Sequence, residues 1–258
     1  MLKKRVIPTL LWKNLGLVKG KRFDSWRRVG SVLPSLKIYN SRDVDELFLF
    51  DITATNEGRE PDEISIKTFS SECSVPFCVG GGIKKISQIE YLLSSGADKV
   101  CINSEAYKNP KFIKEAVKIF GSQCIVIGID YKIVEKKKLC FSNSGSEVVF
   151  KDPIDWALKM EEFGCGEILF TSIDLDGTMI GYDFDYIAEL TDKINIPTIA
   201  GGGAGKLEDF HKVFISSKVT GSAAASIFHF TEITPKMIKN YLSKNNIIVR
   251  DMFAQDKI

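Results

Sequence analysis

The sequence has no apolar run of the roughly 18 residues that a membrane helix needs. Its amino-terminal apolar stretch, Val6 to Trp12, is interrupted by Pro8 and Thr9 and is too short for the core of a secretion signal. There is also little excess of either charge, since 35 lysines and arginines face 33 acidic residues. A balance this even argues against nucleic-acid and membrane-surface partners. We therefore expect a cytoplasmic protein.

Metal ligands and triad residues are scarce as well. The chain has only two histidines, His211 and His229, and no G-x-S-x-G motif accompanies them. None of the six cysteines forms a C-x-x-C pair, and most of them lie in or beside apolar runs. This favours buried free thiols over zinc ligands or a catalytic thiol. We predict neither a bound metal nor a cofactor.

Short apolar runs alternate with amphipathic segments along all 258 residues. Near-continuous apolar strands indicate burial on both faces, as in a parallel sheet covered by helices. The strands are predicted at Val6–Leu11, Glu46–Ile52, Pro76–Val79, Lys99–Asn103, Cys124–Asp130, Glu167–Ser172, Thr198–Ala200 and Val219–Ala224. Eight such units in about 250 residues predict one (βα)8 barrel over residues 1–258, with an open doubly wound sheet as the alternative.

Helical spacing of apolar residues appears between these strands. It is found at Ile86–Leu93, Ile113–Phe120, Trp156–Phe163 and Leu207–Phe214. Two helices are predicted to begin with proline in the first turn, after Asp152 and after Thr234.

The sequence repeats itself at an offset of 121 residues. Glu46–Asp51 resembles Glu167–Ser172, and Gly80–Gly82 matches Gly201–Gly203 at the same offset. A near-constant offset predicts two equivalent half-barrels, about 1–122 and 123–244.

Both glycine triplets follow strands, at the end of the barrel where active sites lie. Glycines there allow backbone N–H groups to approach an anion closely. Asn103-Ser104 and Ala225-Ser226 end the fourth and eighth strands and place a hydroxyl beside each triplet. The duplicated arrangement favours two phosphate cradles over tight-turn glycines with helix-capping serines. A cluster of basic residues would also suit a small anion: Lys19, Lys21, Arg22, Arg27 and Arg28.

Acidic residues at strand ends are candidates for proton transfer, namely Asp51, Asp130, Asp174 and Asp176. Asp130 is the sharpest candidate because it directly follows the apolar run Ile125–Ile129. The repeat places Leu11, which cannot transfer a proton, at the equivalent position of the first half. Asp174 and Asp176 fit a loop turn equally well.

Charged residues of alternating sign begin four of the strands: Arg5, Glu46, Lys99 and Glu167. They predict either a solvated surface or a ring of salt bridges that closes the lower end of the barrel. We call these four residues the charged ring.

The chain resembles the cyclase subunit of imidazole glycerol phosphate synthase over nearly its whole length. The matching stretches are Val18–Gly20, Asp45–Leu47, Asp51–Ala54, Val79–Ile83, Gly96–Val100, Phe120–Gln123, Gly166–Leu169, Thr171–Gly177, Gly202–Lys206 and Ser226–Phe230. The resemblance implies a duplicated (βα)8 barrel that receives ammonia from a glutaminase subunit. The ammonia travels through the barrel to a bisphosphorylated substrate.

Site residues follow from the same resemblance. Phosphate binding is implied for a first cradle, a second cradle and Lys19. The first cradle consists of Gly82, Asn103 and Ser104, and the second of Gly177, Gly203 and Ser226. The charged ring matches the family's ammonia gate, and Asp98 and Gln123 match positions that meet the glutaminase.

The chain departs from the family at its chemistry. The family uses two aspartates as acid and base, and here Asp130 is kept while Leu11 replaces the other. Asn14-Leu15 replaces an Asp-Gly pair in the first loop. These features resemble paralogs linked to surface-polysaccharide and nonulosonic-acid synthesis, which pass ammonia to a separate sugar-modifying amidotransferase.

Three functions are therefore expected in order. The first is an ammonia-conducting subunit with little cyclase activity. The second is a working cyclase that pairs Asp130 with a replacement acid, Asp51 or Asp176. The third is a non-catalytic phosphate-binding barrel.

Overall fold

The computed structural model describes residues 3–14 and 16–250. The strands within these ranges are β1 (Arg5–Lys13), β2 (Gly16–Lys21), β3 (Asp24–Gly30), β4 (Leu47–Asp51), β5 (Phe77–Gly80), β6 (Lys99–Ile102), β7 (Ile125–Val134), β8 (Lys137–Ser142), β9 (Glu147–Val149), β10 (Glu167–Ser172), β11 (Thr198–Gly201) and β12 (Gly221–Ala224). The helices are α1 (Val32–Asn40), α2 (Glu63–Ser71), α3 (Ile86–Ser94), α4 (Ser104–Lys108), α5 (Pro110–Phe120), α6 (Pro153–Glu162), α7 (Phe184–Lys193), α8 (Leu207–Ser216), α9 (Ser226–Phe230) and α10 (Pro235–Lys244).

A closed parallel barrel forms the centre of the fold. Its strands follow the order β1-β4-β5-β6-β7-β10-β11-β12, and β12 pairs with β1 to close the ring. Each predicted strand falls on one of these eight, with ends that differ by at most a few residues. The predicted (βα)8 barrel is confirmed, and ring closure excludes the open doubly wound sheet.

The predicted helices are present as well. α3, α5, α6 and α8 lie where the apolar spacing indicated, and α6 and α10 begin at Pro153 and Pro235. Asp152 accepts hydrogen bonds from the backbone N–H groups of Ile154 and Asp155, and Thr234 accepts one from Met237. These side chains satisfy N–H groups that a helix leaves free at its first turn.

Two antiparallel additions were not predicted. β2 and β3 extend from β1 as a hairpin, and β8 and β9 extend from β7. Each addition begins at the carboxyl end of its barrel strand, which we call the upper face. The opposite end of the barrel is the lower face.

Side chains inside the barrel form levels because alternate residues of a strand point to the same side. On β1, Arg5 lies in the charged ring, Ile7 lies above it, and Leu11 lies at the upper mouth. One side chain from each barrel strand contributes to the middle level, the inner layer: Ile7, Phe48, Cys78, Cys101, Val126, Leu169, Ile199 and Ala223. A separate apolar core fills the space between the barrel and its helices.

The six cysteines are free thiols, as predicted. Four of them are buried, and Cys73 and Cys124 are half-buried. Among the described residues, no helix is both long and apolar enough to cross a membrane.

Candidate functional site

Two cavities open at the upper face, and each contains one predicted cradle. The first cavity is lined by Gly82, Asn103 and Ser104 together with Asp51 and Asp130. The second is lined by Gly177, Gly203 and Ser226 together with Lys19 and Asp176. The structure thus brings the residues of each cradle together.

Positive φ angles shape both glycine turns. Gly82 has a φ of +74° and Gly203 a φ of +113°, a region that residues with side chains rarely adopt. A Cβ on Gly203 would lie 2.0 Å from the carbonyl oxygen of Gly181. Larger residues are therefore excluded from this turn.

The first cradle makes hydrogen bonds within the protein. Gly82 N donates to Thr55 Oγ1 at 3.3 Å, and the backbone N of Asn143 donates to Ser104 Oγ at 3.0 Å. The side-chain amide of Asn103 donates to Asp130 Oδ2 at 3.1 Å. This last contact connects the first cradle to the candidate catalytic carboxylate.

The second cradle is less engaged. Ser226 is buried, and its Oγ has no hydrogen-bond partner among the described residues. Lys19, 1% exposed, forms an ion pair with Asp176 in the same cavity. A buried hydroxyl without a partner is costly, so a ligand oxygen at Ser226 would be favoured.

Asp130 is half-buried at the end of the apolar part of β7. Burial, together with the negative charge of Asp176, raises the pKa of its carboxyl group to about 7, although a hydrogen bond from Thr171 opposes this shift. A carboxyl group with such a pKa can both take up and release a proton near neutral pH.

The other acidic candidates are engaged in contacts of their own. The carboxylate of Asp51 accepts from the backbone N of Thr53 and of Ala54, and it is paired with Arg59 at 3.1 Å. Burial raises the pKa of Asp176, and Lys19 opposes this. Asp174 lines neither cavity, and its carboxylate accepts from the backbone N of Ile133 at 2.9 Å.

Leu11 lies where the repeat placed it, half-buried at the mouth. Four apolar side chains, Leu11, Phe23, Phe50 and Leu169, line both cavities. We call them the apolar partition. Of the replaced Asn14-Leu15 pair, Leu15 lies outside the described residues.

The charged ring forms at the lower face as one closed network. Arg5 pairs with Glu46 at 2.6 Å and also with Glu167. Lys99 pairs with the same two carboxylates, each at 2.8 Å. Both glutamate side chains are buried, and burial raises the pKa of Glu46 while Lys99 and Arg5 oppose this. The network is therefore not a set of independent, solvated surface charges.

Asp98 and Gln123 lie near the charged ring and are exposed. Asp98 Oδ2 accepts a hydrogen bond from the backbone N of Phe77 at 2.8 Å. Gln123 donates to the carbonyl of Phe120 at 3.3 Å. Both side chains lie at an accessible surface, and Asp98 also holds the start of β5.

Several lining residues were not predicted as site residues. Phe23 and Trp26 lie on the β2–β3 hairpin, and Ser144 lies after β8. Ser144 has a φ of +55°, and its Oγ donates to the carbonyl of Ile52 at 2.7 Å. Only the aromatic residues within the basic segment 19–28 offered a sequence signal, and that segment was interpreted by its charge alone.

Metal binding has no support among the described residues, because no three histidine, cysteine or acidic side chains come together as ligands.

Comparison with known proteins agrees with this architecture. The family model described as "Histidine biosynthesis protein" matches residues 5–234. The chain is 43% identical over 252 residues to the imidazole glycerol phosphate synthase subunit HisF of Clostridium botulinum (strain Langeland), covering 97% of this chain and 100% of the relative. It is 44% identical over 250 residues to the subunit HisF of Natranaerobius thermophilus, with the same coverage. The chain therefore belongs to the histidine biosynthesis protein family, as a HisF-like (βα)8 barrel.

Proposed function

We propose that this chain is the ammonia-conducting subunit of a glutamine amidotransferase complex. A glutaminase of the HisH type docks on the lower face, where Asp98 and Gln123 lie, and its ammonia crosses the barrel to the upper mouth. The ammonia then reaches a separate amidotransferase that modifies a sugar in surface-polysaccharide synthesis. The chain itself has little cyclase activity.

The charged ring is the observation that carries this proposal. Each of its two cations bridges the same two buried carboxylates, although the chain needs no such network to hold a barrel together. Loss of one member leaves an opposite charge unpaired at a partly buried site, which is strongly unfavourable. A network of this kind is suited to an entrance that opens by exchanging ion-pair partners.

The inner layer supports the same proposal. Above the charged ring, the barrel interior is lined by aliphatic and aromatic side chains and by the thiols of Cys78 and Cys101. An unpaired cation is very costly to transfer into such surroundings, whereas a small neutral molecule is not. The interior therefore favours ammonia over ammonium.

The upper mouth supports the loss of cyclase activity. Leu11 supplies no group for proton transfer, and both candidate replacement acids are held in ion pairs, Asp51 with Arg59 and Asp176 with Lys19. Loss of one general acid or base costs roughly 10²–10⁴-fold in rate.

The second candidate function is the cyclase reaction of histidine biosynthesis. The curated relatives bear the name imidazole glycerol phosphate synthase subunit, which favours it. Asp130 also favours it, because the pKa of about 7 suits proton transfer. A phosphate-binding barrel without a glutaminase would leave the charged ring without a role.

A cyclase assay separates the first two candidates. The purified chain would receive ammonium salts and the bisphosphorylated ribulosyl-formimino substrate, beside a cyclase that has both aspartates. We expect turnover at least ~100-fold slower than that of the two-aspartate enzyme. Comparable turnover would show that the chain is a cyclase.

A further inference from the structure

The two cradles differ in how far the protein satisfies their polar groups. In the first cradle, Gly82 N, Ser104 Oγ and the Asn103 amide each have a partner within the protein. In the second cradle, Ser226 Oγ is buried and has none among the described residues. No side-chain acceptor among the described residues matches Thr55 at the backbone N of Gly203. An anion entering the second cradle thus gains contacts that the first cradle already makes internally.

The cations around the cavities differ in the same direction. Lys19 is buried within the second cavity, where its ammonium group is shielded from solvent. Lys84 and Lys108 line the first cavity, but Lys108 is exposed and Lys84 is half-buried at the rim. Charges in contact with water attract an anion more weakly than buried ones.

The apolar partition separates the cavities. Leu11, Phe23, Phe50 and Leu169 line both, and Trp26 and Ile83 add further apolar surface to the first. A ligand that spans the mouth therefore passes over apolar side chains and reaches a first cavity that is largely apolar.

We propose that the ligand of the upper face carries a single phosphate, held by the second cradle, and that its uncharged and partly apolar portion occupies the first cavity. The inference rests on the proposed function in one respect: a bisphosphorylated ligand belongs to the cyclase alternative. The ligand class is then a phosphate monoester rather than a bisphosphate.

Binding of inorganic phosphate to the purified chain tests this inference without a glutaminase or any turnover. Isothermal titration gives the affinity and the number of sites, and amide chemical shifts locate them. We expect one site per chain, with shifts at Gly203 and Ser226 and none at Gly82 and Ser104.

Two matched variants sharpen the test. Ser226→Ala should weaken phosphate binding by about tenfold or more, because a hydrogen bond to a charged group is lost. Ser104→Ala should change the affinity by less than about twofold, and Ser226→Thr, which keeps a hydroxyl, should retain binding. Thermal melts of each variant establish that it is folded.

Three results would overturn the inference: two equivalent sites, equal weakening by both alanine variants, or no phosphate binding at millimolar concentrations. None of them bears on the charged ring, so failure here leaves ammonia conduction to its own tests.

Discussion

Leu11 and Asp130 occupy the upper ends of β1 and β7, on opposite sides of the barrel. The repeat in the sequence makes them equivalent, and the structure keeps a titratable group in only one half. Asp130 retains the pKa of a proton-transfer group, and Leu11 joins the apolar partition. One residue therefore decides whether the mouth can perform chemistry or only hold a ligand.

Leu11→Asp should restore a second carboxylate opposite Asp130. We expect ammonium-dependent cyclase turnover to rise by roughly 10²-fold, since general acid–base catalysis has about that value. Leu11→Asn is the control, because it has nearly the same shape without the acid. Equal rates for both variants would show that the apolar partition, rather than the missing acid, limits the reaction.

Asp130→Asn should change how stability depends on pH. The pKa of Asp130 is raised to about 7, above the roughly 4 of an aspartate in the unfolded chain. The folded state therefore loses stability from this group as pH rises from about 4 through 7. Asparagine keeps an oxygen for the amide of Asn103, so the variant should gain on the order of 2 kcal/mol in unfolding free energy at pH 8 relative to pH 4. Urea unfolding at both pH values measures this, and parallel curves for the two proteins would contradict it.

At the scale of elements, the sequence predicted what periodicity can carry. All eight barrel strands are short apolar runs, and the helices at Pro153 and Pro235 begin with a proline after a capping residue. The β2–β3 hairpin was not predicted because β3, Asp24–Gly30, has no apolar alternation and is mostly exposed. Its pairing comes from contact with β2, which no local pattern in the sequence records.

The attachment of α10 depends on a buried lysine. Lys239 is 3% exposed and pairs with Asp43 and Asp45, each at 3.0 Å. Lys239→Met should reduce the unfolding free energy by about 3–5 kcal/mol, because two buried carboxylates lose their cation.

Lys193→Met is the matched control for this prediction. Lys193 pairs with Glu189 on the exposed surface of α7, and this pair should contribute nothing measurable. Chemical denaturation of both variants gives the comparison. Equal effects would mean that the buried pair does not fasten α10.

At the scale of the whole molecule, three levels follow from residues two apart along the strands. On β6, Lys99 lies in the charged ring, Cys101 in the inner layer and Asn103 at the first cradle. This alternation let the sequence assign the charged ring and the cradles to opposite ends of one barrel. The apolar partition escaped prediction because it joins residues from four separate elements. The unequal engagement of the cradles depends on side-chain partners such as Thr55 and Asn143, which the repeat does not record.

The central claim is that ammonia enters through the charged ring, and Lys99→Ala tests it most directly. The complex of this chain with its glutaminase would be supplied with the amidotransferase that consumes the ammonia, and product would be measured with glutamine and with ammonium salts. Removing Lys99 leaves Glu46 and Glu167 with only Arg5 and misaligns the entrance, while free ammonia still reaches the open upper mouth. We predict a folded variant that still binds the glutaminase and whose ratio of glutamine-driven to ammonium-driven product falls by roughly tenfold or more, as expected for breaking a buried ion pair. An unchanged ratio would contradict ammonia conduction through the charged ring.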